Sequence, residues 1–264
     1  MQAARRLYLY VMSGITLGVI AFGLVLLFRV LLKGVFPDPF EGDGGSYDNS
    51  REQLSQAIAM LGVGLPVWVA HWWLIQRGLR EGHPGRDAER GAGIRGIYVT
   101  GILLISLLVW VPSAVSLLQW LVTDLLKVVP EFTYADPLGA ATAGLAAFAI
   151  WMYHGLVRRR DLAAGPVSGT AAWVPRLYLY GVAVGALFVA LITFGTIVTS
   201  LLLGGDLLAG DDYASYSLVQ QVITMMAWAL VWLGHWGYAN RMIGHSDWRG
   251  VEERTSRTRS AAFV

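Results

Sequence analysis

The chain has 264 residues, of which 55% are hydrophobic and only 14% are charged, and its formal net charge is +2. Its mean hydropathy of +0.53 excludes a soluble enzyme and a nucleic-acid-binding module, and it predicts an integral membrane protein. No cysteine is present, which excludes disulfides, thiolate metal sites and cysteine nucleophiles.

Six apolar segments are each long enough to cross about 30 Å of hydrocarbon as a helix. In chain order they are Leu7 to Leu32, Leu54 to Gln76, Ile97 to Val122, Pro137 to Val157, Leu177 to Leu203 and Ser217 to Asn240. The predicted fold class is therefore all-α integral membrane, with six transmembrane helices. The first segment follows Arg5 and Arg6 and ends without a small-residue cleavage site, so we expect a retained anchor rather than a signal peptide.

Basic residues collect in alternate loops. Sixteen of the twenty Lys and Arg lie at the N-terminus, after the second and fourth spans, and in the tail, whereas the three opposite loops hold eleven acids. The positive-inside rule then predicts that both termini are cytoplasmic. A basic cytoplasmic face also predicts contact with anionic lipid headgroups.

The predicted spans contain no Asp or Glu, and no phosphate-binding GxxxxGK[ST] motif occurs in the chain. Proton relays and cation-coupled transporters usually need a carboxylate inside the membrane to carry or balance the moving charge. We therefore expect neither an ion pump nor an ATP-hydrolysing subunit.

A motif recurs near the cytoplasmic ends of the second, fourth and sixth spans. Each copy reads Trp-x-x-His and is followed by an Arg six residues after the His. The copies are Trp68, His71 and Arg77; Trp151, His154 and Arg160; Trp232, His235 and Arg241. The histidines are 83 and 81 residues apart. Because positions i and i+3 share one face of a helix, we expect each Trp to stack beside its His.

The odd-numbered spans also begin alike. The run from Arg6 to Tyr10 nearly matches the run from Arg176 to Tyr180, and Arg95 to Tyr98 is a looser copy. These repeats predict three tandem helical hairpins at residues 1–90, 91–172 and 173–246, followed by a charged cytoplasmic tail at 247–264. Since all three would enter and leave from the cytoplasm, we expect parallel repeats around a pseudo-threefold axis.

Arginine and glycine have separate predicted roles in these hairpins. Arg6, Arg95 and Arg176 at the helix starts, like the three motif arginines, are predicted interface anchors. The pairs Gly14 and Gly18, and Gly181 and Gly185, are spaced to let helices pack closely.

The Arg-x-Tyr starts at Arg6 and Arg176 and the Trp-x-x-His ends resemble those of a family of bacterial multi-pass membrane proteins whose shared domain has no known function. The resemblance implies a protein of the bacterial plasma membrane. It transfers no catalytic residue, because that family has no established activity.

Three interpretations of His71, His154 and His235 remain open. They are packing residues copied with the hairpin, or ligands of a haem or transition metal, or the lining of a cavity for a neutral or anionic solute. In the last two interpretations Trp68, Trp151 and Trp232 belong to the same site. No acidic group or thiol accompanies them, so we expect no enzyme and no catalytic residue. The expected function is an auxiliary or scaffolding subunit that contacts lipids and other membrane subunits, and the alternative is a solute-binding, permeation, haem or metal unit.

Overall fold

The computed structural model describes residues 2–36, 49–129, 135–165, 170–203 and 212–244. The predicted tail at 247–264 lies outside these ranges, as do seven of the acids assigned to the outer loops. Within the described ranges the secondary structure is entirely helical: α1 (Gln2–Leu32), α2 (Ser50–Arg77), α3 (Arg86–Arg90), α4 (Gly93–Leu126), α5 (Pro137–Ala163), α6 (Thr170–Leu203) and α7 (Asp212–Gly244).

Six of these helices are long and apolar enough to cross a membrane, which confirms the predicted class. The helices extend beyond the apolar segments that predict them; α4, for example, begins at Gly93 rather than at Ile97. Hydropathy marks only the part of a helix that needs a lipid environment, whereas the helical hydrogen bonds continue until a breaker intervenes. Pro66 and Pro112 lie inside α2 and α4.

The chain divides into two compact units. The first combines residues Met1–Trp110 with Leu138–Pro175, and the second combines Val111–Pro137 with Arg176–Val264. The first unit therefore holds α1, α2, α3, α5 and the first half of α4, and the second holds the remainder of α4, nearly all of α6, and α7. The pseudo-threefold arrangement of the hairpins stays a prediction.

Two glycines permit the close packing of α1 against α2 in the first unit. A Cβ at Gly64 would lie 3.1 Å from Ile20, and a Cβ at Gly23 would lie 3.1 Å from Leu61. Because 3.1 Å is shorter than an ordinary carbon–carbon contact, each helix needs a glycine opposite the other's side chain.

The glycines singled out from sequence do not make the predicted close contacts. A Cβ at Gly18, Gly181 or Gly185 would meet no described atom within 4 Å, and one at Gly14 would lie an ordinary 3.8 Å from Tyr98. A spacing of four residues places two glycines on one face, but it does not determine which neighbour that face meets.

The second unit is joined by both polar and apolar contacts. The Gln119 amide on α4 donates to the backbone oxygen of Gln220 and to Thr224 Oγ1 on α7, at 3.0 Å each. Leu179 and Tyr180 of α6 form a buried cluster with Ala239 of α7. An amide hydrogen bond between helices stabilises a membrane bundle because lipid offers the amide no partner.

We predict that Gly64→Leu destabilises the α1–α2 packing by about 1–3 kcal/mol, since the new side chain must displace Ile20. The measurement is the free energy of unfolding of the purified protein in detergent. Gly62→Leu is the matched control on the same helix, because a Cβ there meets no described atom within 4 Å. Equal losses in the two variants would contradict the close contact at Gly64.

Candidate functional site

The three motif histidines each make the same type of hydrogen bond. In each, Nδ1 lies within hydrogen-bond distance of the carbonyl oxygen four residues earlier in its own helix: His71 with Val67 at 2.7 Å, His154 with Ile150 at 2.9 Å, and His235 with Val231 at 2.9 Å. A carbonyl can only accept, so Nδ1 must carry the proton. In a neutral ring, Nε2 is then left as an acceptor.

Each histidine also contacts a tyrosine from the preceding long helix. The ring centroids of Tyr8 and His71 are 5.6 Å apart, those of Tyr98 and His154 are 5.9 Å apart, and those of Tyr178 and His235 are 5.7 Å apart. In the first and third pairs the tyrosine Oη is 3.4 Å from Nε2, where the hydroxyl can donate. The same Tyr–His contact therefore recurs in all three predicted hairpins.

The motif tryptophans do not stack on their histidines as expected from the helical spacing. Trp68 stacks on Trp72 with centroids 5.9 Å apart, and Trp151 packs against Trp110 at 5.6 Å. Trp232 is half-buried and has no ring contact within the described residues. The i to i+3 spacing places Trp and His on one face, but Trp68 stacks on a second tryptophan of its own helix, and Trp151 packs against a tryptophan of α4.

His154 is the most enclosed of the three histidines, with none of its surface exposed. Its ring is surrounded by Trp72, Tyr98 and Tyr153, with centroids 6.0, 5.9 and 5.2 Å away. Its Nε2 has no hydrogen-bond partner among the described residues. The ring is held by packing and by its Nδ1 hydrogen bond.

A network of charged groups includes Asp161, which follows His154 on α5, and the sequence did not predict it. Arg95, only 3% exposed, donates to both carboxylate oxygens of Asp161 from Nε at 3.0 Å and from Nη2 at 2.8 Å. Arg95 Nη1 also lies 3.4 Å from Tyr10 Oη. A buried guanidinium needs such a two-point partner because its desolvation is otherwise costly.

The network continues from Tyr10 to the short helix α3. Tyr10 Oη donates to Glu89 Oε1 at 2.9 Å, and Arg6 Nε donates to Glu89 Oε2 at 2.7 Å. Two guanidinium groups thus face two carboxylates, so the network is close to neutral. It ties α1 to α3 and α4 to α5 within the first unit.

The segment that holds α3 is fixed at a second point. Arg90 Nη2 donates to the backbone oxygen of Gly165 at 2.7 Å. Gly165 has a φ of +110°, a backbone conformation that favours glycine. The segment between the first two hairpins therefore contacts both α1 and the end of α5.

The predicted interface anchors occupy different environments. Arg95 is buried instead of facing lipid headgroups, and Arg6 is paired with Glu89. Arg77 is exposed, and its guanidinium lies over the ring of Trp73, 5.4 Å from the centroid. Arg160 and Arg241 are exposed, and Arg176 is half-buried.

The sequence did contain a signal for Glu89 and Asp161. Both are acids in loops assigned to the basic side, where a carboxylate departs from the surrounding charge. Their partners, however, lie 83 and 66 residues away, and spacing alone cannot identify such pairs.

The described residues contain no group of three or more His, Asp or Glu side chains arranged to hold a metal ion. Since each motif histidine already uses Nδ1, only Nε2 could reach a ligand. The haem and metal interpretations remain predictions.

Six membrane-length helices with polar contacts between them define an integral membrane protein of the helical multi-pass class. Within that class, residues 6–153 match the family described as Domain of unknown function (DUF5671), and the chain belongs to that family. The match includes His71 and Trp151 and ends one residue before His154. No curated protein and no solved structure matches the chain.

We predict that Asp161→Asn lowers the free energy of unfolding by about 3 kcal/mol, because it leaves the buried Arg95 charge unpaired. Thermal unfolding in detergent measures the loss. Asp87→Asn is the control, since Asp87 lies 3.9 Å from Arg90 and its side chain is 95% exposed, so its loss should stay below about 1 kcal/mol.

Replacing both partners of the ion pair tests whether the lost stability comes from the unpaired charge. The double variant Arg95→Met with Asp161→Leu should recover much of the lost stability, because no charge is then buried without a partner. A double variant less stable than Asp161→Asn alone would contradict this account of the network.

Proposed function

We propose that this protein is a non-enzymatic, multi-pass component of a bacterial plasma membrane that acts as an auxiliary or scaffolding subunit of a larger membrane complex. It contacts membrane lipids throughout and a second membrane protein along α7. The contrast between α5 and α7 carries the proposal.

Helices α5 and α7 have equally low hydropathy but very different burial. Each has an 18-residue window with a mean hydropathy of 1.4, against 2.5 for α1. In α5, 33% of that window is buried inside the protein, whereas the described part of α7 contains only two buried residues, Ile223 and Ala239. A less apolar helix is expected to pack against protein rather than face lipid, so the exposed surface of α7 is more polar than a lipid-facing surface needs to be.

One face of α7 is suited to such a partner. Met226, Leu230, Gly234 and Tyr238 follow one another at intervals of four residues, which places them on a single face, and all four are exposed. A Cβ at Gly234 would meet no described atom within 4 Å. A partner helix could therefore approach α7 closely at Gly234.

The contacts of the histidines support a structural role over a catalytic one. Each ring is engaged by its own helix and by a tyrosine of the preceding helix, which joins the two helices of one hairpin. The recurrence of this pair supports three tandem hairpin repeats. In this proposal the histidines hold the hairpins together, and the outer surface of the bundle performs the function.

The proposed topology places both termini in the cytoplasm, and we predict a matching pattern of cysteine labelling. The chain has no cysteine, so single cysteines introduced by Ala88→Cys, Ala164→Cys, Asn49→Cys and Ala135→Cys can be tested one at a time. On intact cells, a membrane-impermeant maleimide should label only the cysteines at positions 49 and 135. Labelling at 88 and 164 instead would overturn the orientation.

For the scaffolding role, we predict that affinity-tagged protein in mild detergent co-purifies with a second membrane protein in a fixed ratio. Gly234→Leu should abolish that complex, because the added side chain obstructs a helix packed on α7. Gly18→Leu is the matched control, since Gly18 is also exposed with no described atom near its Cβ, and it should leave the complex intact. Native gel electrophoresis with protein mass spectrometry measures both.

Two results would overturn the scaffolding proposal. One is a complex that survives Gly234→Leu, and the other is an assembly that contains only copies of this chain. A photo-reactive residue introduced in place of Leu230 identifies the molecule that contacts α7. In the proposed complex it should crosslink to the second protein.

The haem and metal alternative makes a different prediction for the same preparation. A stoichiometric Soret absorbance or bound transition metal, lost when His71, His154 and His235 are all changed to Ala in a folded protein, would favour that alternative. That result would mean that the repeated histidines are ligands of the haem or of the metal.

A further inference from the structure

The first unit contains a cavity of about 300 Å³ where the start of α1, the end of α2 and the segment carrying α3 meet. Three apolar side chains, Leu9, Leu74 and Ile75, line it together with three arginines, Arg5, Arg6 and Arg77. The apolar residues lie deeper in their helices than the arginines do, so the cavity joins an apolar surface to a basic one.

The cavity carries a net positive charge. Glu89, the one carboxylate among the described residues that line it, already accepts hydrogen bonds from Arg6 and Tyr10. Arg5 and Arg77 have no ion pair with any described carboxylate, and Arg77 is held instead over Trp73. Two guanidinium groups at the cavity are therefore available to an anion.

His83 adds a neutral donor to this lining. The backbone N–H of Gly85 donates to His83 Nδ1 at 3.1 Å, so Nδ1 acts as an acceptor. In a neutral ring the proton then resides on Nε2, which can donate to a ligand oxygen. His83 lines the same cavity as the three arginines.

We propose that this cavity binds a phosphate group, and that the phosphate belongs to the headgroup of an anionic phospholipid. Guanidinium groups recognise phosphate oxygens through paired, charge-assisted hydrogen bonds. The apolar part of the lining suits the glycerol and first acyl carbons of a lipid, which a free phosphate ion lacks. Arg5 and Arg77 bind the phosphate, and the Arg6–Glu89 pair holds α3 beside it.

Quantitative lipid binding to the full-length protein tests the proposal. Native mass spectrometry in detergent measures the apparent affinity for phosphatidylglycerol, with zwitterionic phosphatidylcholine as the reference lipid. The variant Arg5→Gln with Arg77→Gln should lose at least tenfold in affinity for phosphatidylglycerol and little for phosphatidylcholine.

A charge-matched control separates the cavity from a general attraction of anionic lipid to a basic surface. Arg159→Gln with Arg160→Gln removes the same charge from exposed positions at the end of α5, and should change the affinity by less than twofold. An equal loss in the control and cavity variants would overturn the site. Arg5→Lys with Arg77→Lys keeps the charge without the guanidinium geometry, so its affinity should fall between those of the wild type and the glutamine variant.

Competition distinguishes the two sources of phosphate. Inorganic phosphate and glycerol 3-phosphate, added at millimolar concentration, should displace phosphatidylglycerol only weakly. If lipid-free protein binds inorganic phosphate through Arg5 and Arg77 and phosphatidylglycerol does not compete, the lipid assignment is overturned. The test needs no partner protein, so its failure is distinct from failure of the scaffolding proposal.

Discussion

A membrane offers polar groups no water, so burying a polar group within it is costly unless that group finds a partner inside the protein. This constraint accounts for the hydrogen bonds that the helices make internally. The helices satisfy the backbone, and buried hydroxyls such as those of Ser106 and Thr123 donate to carbonyls of their own helices. The histidines use Nδ1 in the same way. Only the polar atoms that these local contacts leave unused can form hydrogen bonds between helices.

The polar contacts between helices are made by these unused atoms. In His71 and His235, Nε2 lies 3.4 Å from a tyrosine hydroxyl, and the ring of His154 packs against Tyr98, so a polar residue joins the two helices of each hairpin. Charged groups near the helix ends are also paired. Arg95 and Asp161 neutralise each other, and Glu89 accepts hydrogen bonds from Arg6 and Tyr10. In the second unit, Gln119 performs this role with an uncharged amide.

Composition and hydropathy were sufficient to predict the six membrane helices, because the apolar length needed to cross a bilayer is a local property of the sequence. The histidine positions were equally visible. Their tyrosine partners were visible only as repeated helix starts, since the contact depends on how two helices align. The pairs formed by Glu89 and Asp161 could not be found, because their members are far apart in the chain and no periodicity relates them. The close contact at Gly64 was missed for a similar reason: Ile20 belongs to another helix.

The position of Glu89 has a consequence for biosynthesis. Arg6, Tyr10 and Glu89 all lie within the first 89 residues, so their contacts need nothing that is synthesised later. A nascent chain can therefore fasten the start of α1 to α3 before α4 leaves the ribosome. Arg95 and Asp161, by contrast, meet only after α5 is complete. The contacts of Glu89 can thus form earlier in translation than the Arg95–Asp161 pair.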